Sequence, residues 1–256
     1  MGIQGKIVLI TGASSGIGAA AAMAFAAEGA RLLLVARRAG KLAEVASEAL
    51  RRGAAAVHSI NLDVRSRLEV QRAIDALPEE WAAIDILVNN AGLSRGLEKL
   101  YTGNIDDWEE MIDTNLKGLL YVTRAVLPGM VVRKQGHVIN LGSTAGEMPY
   151  GNGAVYSATK AAVIALNNAL RQDVLGTPIR VSCIDPGAVE TEFSLIRFHG
   201  NEKKAAKVYA GITPLTAEDV AETMVWIASR PAHVNIARVS MTCVDQANSL
   251  LFHREG

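Results

Sequence analysis

Only two cysteines, Cys183 and Cys243, occur among the 256 residues, and each lies inside an apolar, strand-like run. Such residues read as small core hydrophobes, and so few thiols point to a reducing compartment. Aromatic residues make up 5% of the chain with no basic cluster interleaved among them, which argues against a nucleic-acid partner. Neither sign of charge is in excess. The 26 Lys and Arg stand against 26 Asp and Glu, so no net field draws in nucleic acid or an anionic membrane. The histidines (His58, His137, His199, His233, His253) lack metal-ligand spacing, and no metal is expected. Long hydrophobic runs are missing too. The first apolar run, Lys6–Thr11, is too short for a signal segment or a membrane span, and the expected location is cytoplasmic.

What is present is a packed-core composition: half of the residues are hydrophobic and a fifth are charged. Short apolar runs alternate with helical patterns along the whole chain. The runs are Lys6–Thr11, Arg31–Ala36, Ala55–Asn61, Ile84–Asn89, His137–Leu141, Arg180–Asp185 and Arg238–Val244. Between them, Trp108, Met111, Ile112, Asn115, Leu116, Leu119, Val122 and Val126 recur at helical spacing over Asp106–Val131. Ala162, Val163, Leu166, Leu170 and Val174 do the same further on. Continuous apolar strands, each followed by a helix, predict a parallel sheet covered on both faces. The expected fold class is therefore α/β: a single Rossmann-type doubly wound parallel sheet of about seven strands, spanning residues 1–256 as one domain. Gly187–Thr216 is the one long irregular stretch and reads as a substrate lid.

The first strand leads into Thr11-Gly12-Ala13-Ser14-Ser15-Gly16-Ile17-Gly18 and then an alanine-rich helix. Gly12 allows a tight turn off the strand, Gly16 lets backbone approach a pyrophosphate, and Gly18 lets the helix pack close to the sheet. The helix N-terminus then offers free N–H groups and a positive dipole end to phosphate. The second strand ends at Ala36-Arg37-Arg38, where an NAD site would place an acidic residue for the ribose 2′-OH. Two guanidinium groups suit a 2′-phosphate instead, so NADP(H) is the expected cofactor. Arg37 is the preferred ligand of the two, because Arg38 can equally begin the next helix in solvent. Asp63-Val64 closes the third strand, where the carboxylate can accept from an adenine amino group or cap the following helix.

Tyr156 and Lys160 stand at i and i+4, adjacent on one helix face. A free phenol titrates near about 10, too high for a base at neutral pH. Lowering it by about three units requires roughly 4 kcal/mol of preference for the phenolate. An ammonium about 4 Å away at an effective dielectric near 20 supplies about that much. Ser143 follows the fifth strand at its carboxyl end and can donate to a carbonyl oxygen. Asn115 lies on the apolar side of its helix, where a buried amide needs partners.

Taken in order, Thr11-Gly-x-x-x-Gly-x-Gly18, Asn89-Asn-Ala-Gly92, Asn115, Ser143, Tyr156-x-x-x-Lys160 and Pro186-Gly187 resemble the short-chain dehydrogenase/reductase family over nearly the whole chain. The resemblance implies Tyr156 as general acid/base, Ser143 as the group that orients the carbonyl, and Lys160 as the one that lowers the tyrosine pKa and holds the nicotinamide ribose. Asn115 would hold a water in the proton relay. Asn89, Ala91 and Gly92 would support the central strand and the cofactor, whose nicotinamide end would meet Pro186, Gly187, Val189 and Thr191. One departure stands out: family members that select NADP through a basic residue in the glycine loop carry it where this chain has Ser15.

Further stretches, among them Met111-Ile-Asp-Thr-Asn115, Thr191-Glu-Phe-Ser194, Arg197-Phe198 and Pro231-Ala-His-Val-Asn-Ile236, resemble bacterial NADP-dependent 3-hydroxy acid dehydrogenases acting on serine and allo-threonine. That resemblance implies a small hydroxy acid or carbonyl as substrate. Its carboxylate would need a cation, for which Arg197 is the first candidate and Arg95 the second. A ketoreductase for 3-oxoacyl thioesters and a non-catalytic NADP sensor are the competing readings. By family analogy the chain is expected to form a homotetramer.

Overall fold

The structure, a computed structural model, describes residues 2–255; the first and last residues of the expected domain lie outside it. Seven strands form one sheet: β1 (Ile7–Thr11), β2 (Arg31–Ala36), β3 (Ala56–Asn61), β4 (Ile86–Asn89), β5 (Gly136–Leu141), β6 (Ile179–Pro186) and β7 (Arg238–Met241). Their order is β3-β2-β1-β4-β5-β6-β7 and every pairing is parallel. The expected doubly wound parallel sheet is the observed one.

Alternation along the strands builds two cores. On β1, Val8 and Ile10 point to one face and Ile7 and Leu9 to the other. The first face takes α1 (Gly16–Ala27), α2 (Ala39–Arg51) and, late in the chain, Ala217–Ala228. Alanines 20, 21, 22 and 26 are buried on α1, and their small side chains let the helix lie close to its neighbours. The second face takes α3 (Arg67–Asp75), α4 (Glu79–Ala82) and the long helices of the middle of the chain.

Those middle helices depart from the expected pattern. The span Asp106–Val131 is not one α-helix but α5 (Ile105–Ile112), a π-helical stretch (Asp113–Gly118) and α6 (Leu119–Arg133). The apolar spacing runs through the join, so periodicity alone does not reveal it. The wider turn coincides with Asn115, in keeping with the tendency of π-turns to occur at functional sites. After β5 come α7 (Thr144–Glu147) and α8 (Ala154–Asp173).

Residues 187–216 are not irregular. They hold α9 (Phe193–Arg197) and α10 (Glu202–Tyr209), followed by α11, the Ala217–Ala228 helix. The chain then closes with a tail over this segment: Arg254 Nη2 donates to Val208 O at 3.0 Å, and Glu255 N to Gly211 O at 2.9 Å. Strand order reverses between β1 and β4, and the crevice at their carboxyl ends is where a ligand binds in such sheets. No described helix is long and apolar enough to cross a membrane.

Candidate active site

A cavity of about 450 Å³ opens at the carboxyl ends of β1, β4, β5 and β6. Its floor begins with Gly12, Ser15, Gly16 and Ile17. Gly12 has φ +68°, and a Cβ there would lie 2.9 Å from Ala91 Cα. A Cβ on Gly18 would fall 2.3 Å from Gly12 O, so only glycine lets α1 start this close to the turn. Asn90 braces the loop, donating from Nδ2 to Thr11 O at 2.8 Å. Ser15 makes no side-chain capping bond to α1 and the first turn carries no acidic residue, which leaves its N–H groups for an anion.

Ser143 follows Gly142 at the end of β5. Its Oγ accepts from Ala145 N at 3.1 Å, and its own N–H donates to Asp185 Oδ1 at 3.1 Å. Asp185 is fully buried, and Arg238 Nε donates to its other oxygen while Arg238 Nη2 reaches Glu147 at 2.9 Å. A Cβ on Gly142 would lie 1.8 Å from Asp185 Oδ1, so glycine is required for that approach. The result is a serine held at the cavity wall through its backbone N–H by the buried Asp185 carboxylate.

Tyr156 is buried on α8, edge-on to Phe193 with ring centroids 5.6 Å apart. Burial pushes its phenol above the usual range, while the Arg197 charge and the Ser143 hydroxyl pull it down. Lys160, one turn on, donates from Nζ to Leu141 O at 2.8 Å and lies 6.0 Å from the Tyr156 ring centroid. Burial lowers its pKa to about 8. A second cation, Arg197, stands beside the phenol, its guanidinium carbon 5.5 Å from the Tyr156 centroid and 5.0 Å from that of Phe193. Arg197 Nη2 donates to Tyr150 Oη at 3.1 Å, and its buried Nε has no hydrogen-bond partner among the described residues.

The family model for short chain dehydrogenases matches residues 6–199, which hold the glycine turn, Ser143, Tyr156, Lys160 and Arg197. The chain belongs to the short-chain dehydrogenase family. Within it, the chain is 48% identical over 242 residues to the NADP-dependent 3-hydroxy acid dehydrogenase YdfG of Salmonella typhi, covering 94% of this chain and 96% of that one. The YdfG protein of Escherichia coli K12 is 47% identical over 251 residues, 97% of this chain and all of that protein. A solved closed form of serine dehydrogenase complexed with NADP+ superposes with a TM-score of 0.90 at 47% identity, covering 97% of this chain and 100% of that one.

Around this short-chain dehydrogenase cavity the structure gathers Gly12, Ser15, Gly16, Ile17, Ala91, Gly92, Ser143, Tyr156, Lys160, Pro186, Gly187, Val189, Thr191 and Arg197. Other expected residues stand back from it. Ser14 accepts from Arg38 Nε at 3.2 Å. Asn89 donates to Thr123 Oγ1 and Asn140 Oδ1, both at 2.9 Å, tying β4 to its neighbours. Asn115 spends its amide on Leu93 N and O, each at 2.8 Å, and on Thr159 Oγ1 at 3.1 Å, so its side chain has a holding function. Val64 is buried, packed where a Cβ on Gly118 would strike it.

The two arginines exchange their expected ranks. Arg37 Nη1 faces Asp63 at 3.9 Å and Glu110 at 3.7 Å, whereas Arg38 turns to the glycine loop and bonds Ser14 and Ser15. Successive side chains leaving an extended strand point opposite ways, so only one could face the loop. Burial pushes Asp63 up, but Arg65 and Arg37 outweigh it and hold the carboxyl below its ordinary value. Asp63 does not cap α3; Ser66 does, accepting from Glu69 N. Arg95 is committed to Glu110 at 2.7 Å and to Ile196 O at 2.8 Å, outside the cavity.

Several wall residues have no simple sequence signal. Tyr150 and Phe193 face Arg197 and Tyr156, and Gln246, Ser249, Phe252 and Arg254 arrive from the C-terminal tail. Gln246 Oε1 accepts from Ala188 N at 2.8 Å, clamping the chain just after Pro186-Gly187.

Proposed function

We propose that this chain oxidises small 3-hydroxy acids, of the serine, allo-threonine and 3-hydroxypropanoate type, with NADP(H) as its redox cofactor. The observation that carries the reading is that Ser143, Tyr156 and Arg197 line one cavity, Arg197 with a buried, unpartnered N–H. A guanidinium with a free donor fits the carboxylate of such a substrate. Identity of 47–48% to NADP-dependent 3-hydroxy acid dehydrogenases over nearly the full chain supports the same class.

The residues present fit the cofactor. Gly12, Ser15, Gly16 and Ile17, at the uncapped start of α1, would hold the pyrophosphate, and Arg38 with Ser14 and Ser15 the 2′-phosphate. Ala91, Gly92, Lys160, Pro186, Gly187, Val189 and Thr191 would surround the nicotinamide half. When bound, the cofactor accepts a hydride from the carbinol carbon in oxidation and returns it in reduction.

In oxidation the Tyr156 phenolate takes the alcohol proton, and Ser143 Oγ donates to the same oxygen as it becomes a carbonyl. Arg197 favours the phenolate electrostatically and fixes the carboxylate end. Lys160 holds the ribose and its ammonium adds to the field on the phenol. The segment 187–216, pinned by the C-terminal tail, closes the cavity over the substrate. Assembly as a homotetramer is part of the reading, supported by the exposed apolar residues Leu120, Val131 and Val132 on α6.

A substrate panel tests it. NADP+ reduction with serine, allo-threonine or 3-hydroxypropanoate supports the proposal. Turnover confined to 3-oxoacyl thioesters replaces it with a ketoreductase, and cofactor affinity without turnover replaces it with a sensor.

A further inference from the structure

The structure places a carboxylate where an incoming phosphate would need to be. Arg38 is the N-cap residue of α2 and Lys41 lies in its first turn, which has no acidic residue of its own. Arg38 sends Nε to Ser14 Oγ and Nη2 to Ser15 Oγ, so its fork faces the glycine loop. Its remaining nitrogen, Nη1, donates to Glu192 Oε2 at 2.9 Å, and Lys41 Nζ donates to Glu192 Oε1 at 2.5 Å. Glu192 belongs to a different part of the molecule. It is the N-cap residue of α9, beside Thr191, which packs against Gly16. Lys41 and then Arg38 pull its carboxyl down to about 2, so it is ionised throughout the neutral range.

Charge balance decides what this arrangement can do. Two cations beside one carboxylate leave a single positive charge. A 2′-phosphate of about two negative charges would then face two cations and a third negative charge a few ångströms away. Once Glu192 leaves, the cations and the phosphate balance. We propose that Glu192 is a displaceable counter-charge which the cofactor's 2′-phosphate expels from Arg38 and Lys41, so that binding of NADP(H), but not of NAD(H), unfastens the start of α9. This rests on the reading of Arg38 as the 2′-phosphate ligand.

The test measures dissociation constants of NADPH and NADH for the full-length protein at one fixed ionic strength, because exposed ion pairs are screened. Two exposed pairs of this kind together correspond to about three- to tenfold in affinity. Glu192→Gln is expected to bind NADPH about that much tighter and NADH within about twofold of the parent. Glu192→Lys is expected to extend the gain for NADPH. In an Arg38→Met background, where NADPH binding is already weakened, Glu192→Gln is expected to add little. If Arg38→Met leaves NADPH affinity unchanged, the phosphate site itself is misplaced and the counter-charge falls with it. If Arg38→Met weakens NADPH but Glu192→Gln leaves it unchanged, weakens it, or tightens NADH equally, the site stands and the role of Glu192 is overturned.

Discussion

The Arg197 guanidinium lies 5.5 Å from the centroid of the Tyr156 ring, close enough to act on both the phenol and a substrate bound against it. Tyr150 holds it there through a 3.1 Å bond, leaving Nε buried and free. The proposed pairing of a proton-transfer group with a carboxylate anchor gives the first prediction. Arg197→Met should raise KM for 3-hydroxy acids by roughly ten- to a hundredfold, the value of a charge-assisted hydrogen bond. KM for uncharged secondary alcohols should change by no more than about threefold. Steady-state kinetics on both substrate classes reads the difference, and an equal rise in both KM values removes Arg197 from the substrate pocket.

The buried Asp185 carboxylate carries the Ser143 N–H and the Arg238 guanidinium together. Asp185→Ala leaves the buried Ser143 N–H without an acceptor and Arg238 with Glu147 alone, a loss of about 1–3 kcal/mol. For a chain of this size that lowers Tm by roughly 5 °C. Calorimetry is the check, and a Tm within about 2 °C of the parent contradicts the assignment.

Close packing at the glycine turn is equally exposed to test. A methyl on Gly18 would lie 2.3 Å from Gly12 O and 2.5 Å from Asn90 Nδ2. Backbone must move to admit it, at about 1–3 kcal/mol. Gly18→Ala is expected to weaken NADPH binding by roughly ten- to a hundredfold, measured by titration. Unchanged affinity would mean that the turn plays no part in holding the cofactor.

His137 gives a prediction in pH. Its ring is buried between β5 and β6, with Nε2 2.8 Å from Ser182 Oγ. Burial, helped by the Arg180 charge, lowers its pKa from 6.5 to about 3. Between those values the unfolded chain binds a proton that the folded one refuses, so stability falls as the pH drops from 6.5 and levels off below about 3. The loss attributable to this ring is on the order of 3 kcal/mol at about pH 4. A His137→Leu variant should show a shallower decline of Tm with acidification; parallel curves would assign the acid sensitivity elsewhere.

How far the fold could be read in advance depended on how local its cause is. β1, β2 and β4 are nearly continuous apolar runs because both faces are covered, and runs of that kind point to a parallel sheet. The glycine turn was legible for a similar reason: strand, tight turn and helix follow one another within a dozen residues. The π-turn at Asn115 was hidden because apolar spacing survives one widened turn. Helices α9 and α10 escaped because they are short, five and eight residues, too few turns for a periodic pattern to stand out.

Within the site, Tyr156 and Lys160 share a helix face by spacing, but where the ammonium goes is set by Leu141 O, a partner 19 residues away. The ranks of Arg37 and Arg38 turned on which side of the β2 exit faces the glycine loop, which adjacent identical residues cannot reveal. Gln246 and Phe252 reach the cavity only because the tail folds back across it. Such contacts come from the tertiary structure and leave no pattern in the surrounding residues.

The most direct test of the central claim is NADP+ reduction by L-serine and by 3-hydroxypropanoate, followed by nicotinamide absorbance in the parent and in Tyr156→Phe. The parent should turn over at least one of the two, and Tyr156→Phe should lose about 10²–10⁴-fold in kcat with NADPH affinity nearly unchanged. Turnover by the phenylalanine variant at the parental rate would contradict the account, because the phenol would then have no proton to carry.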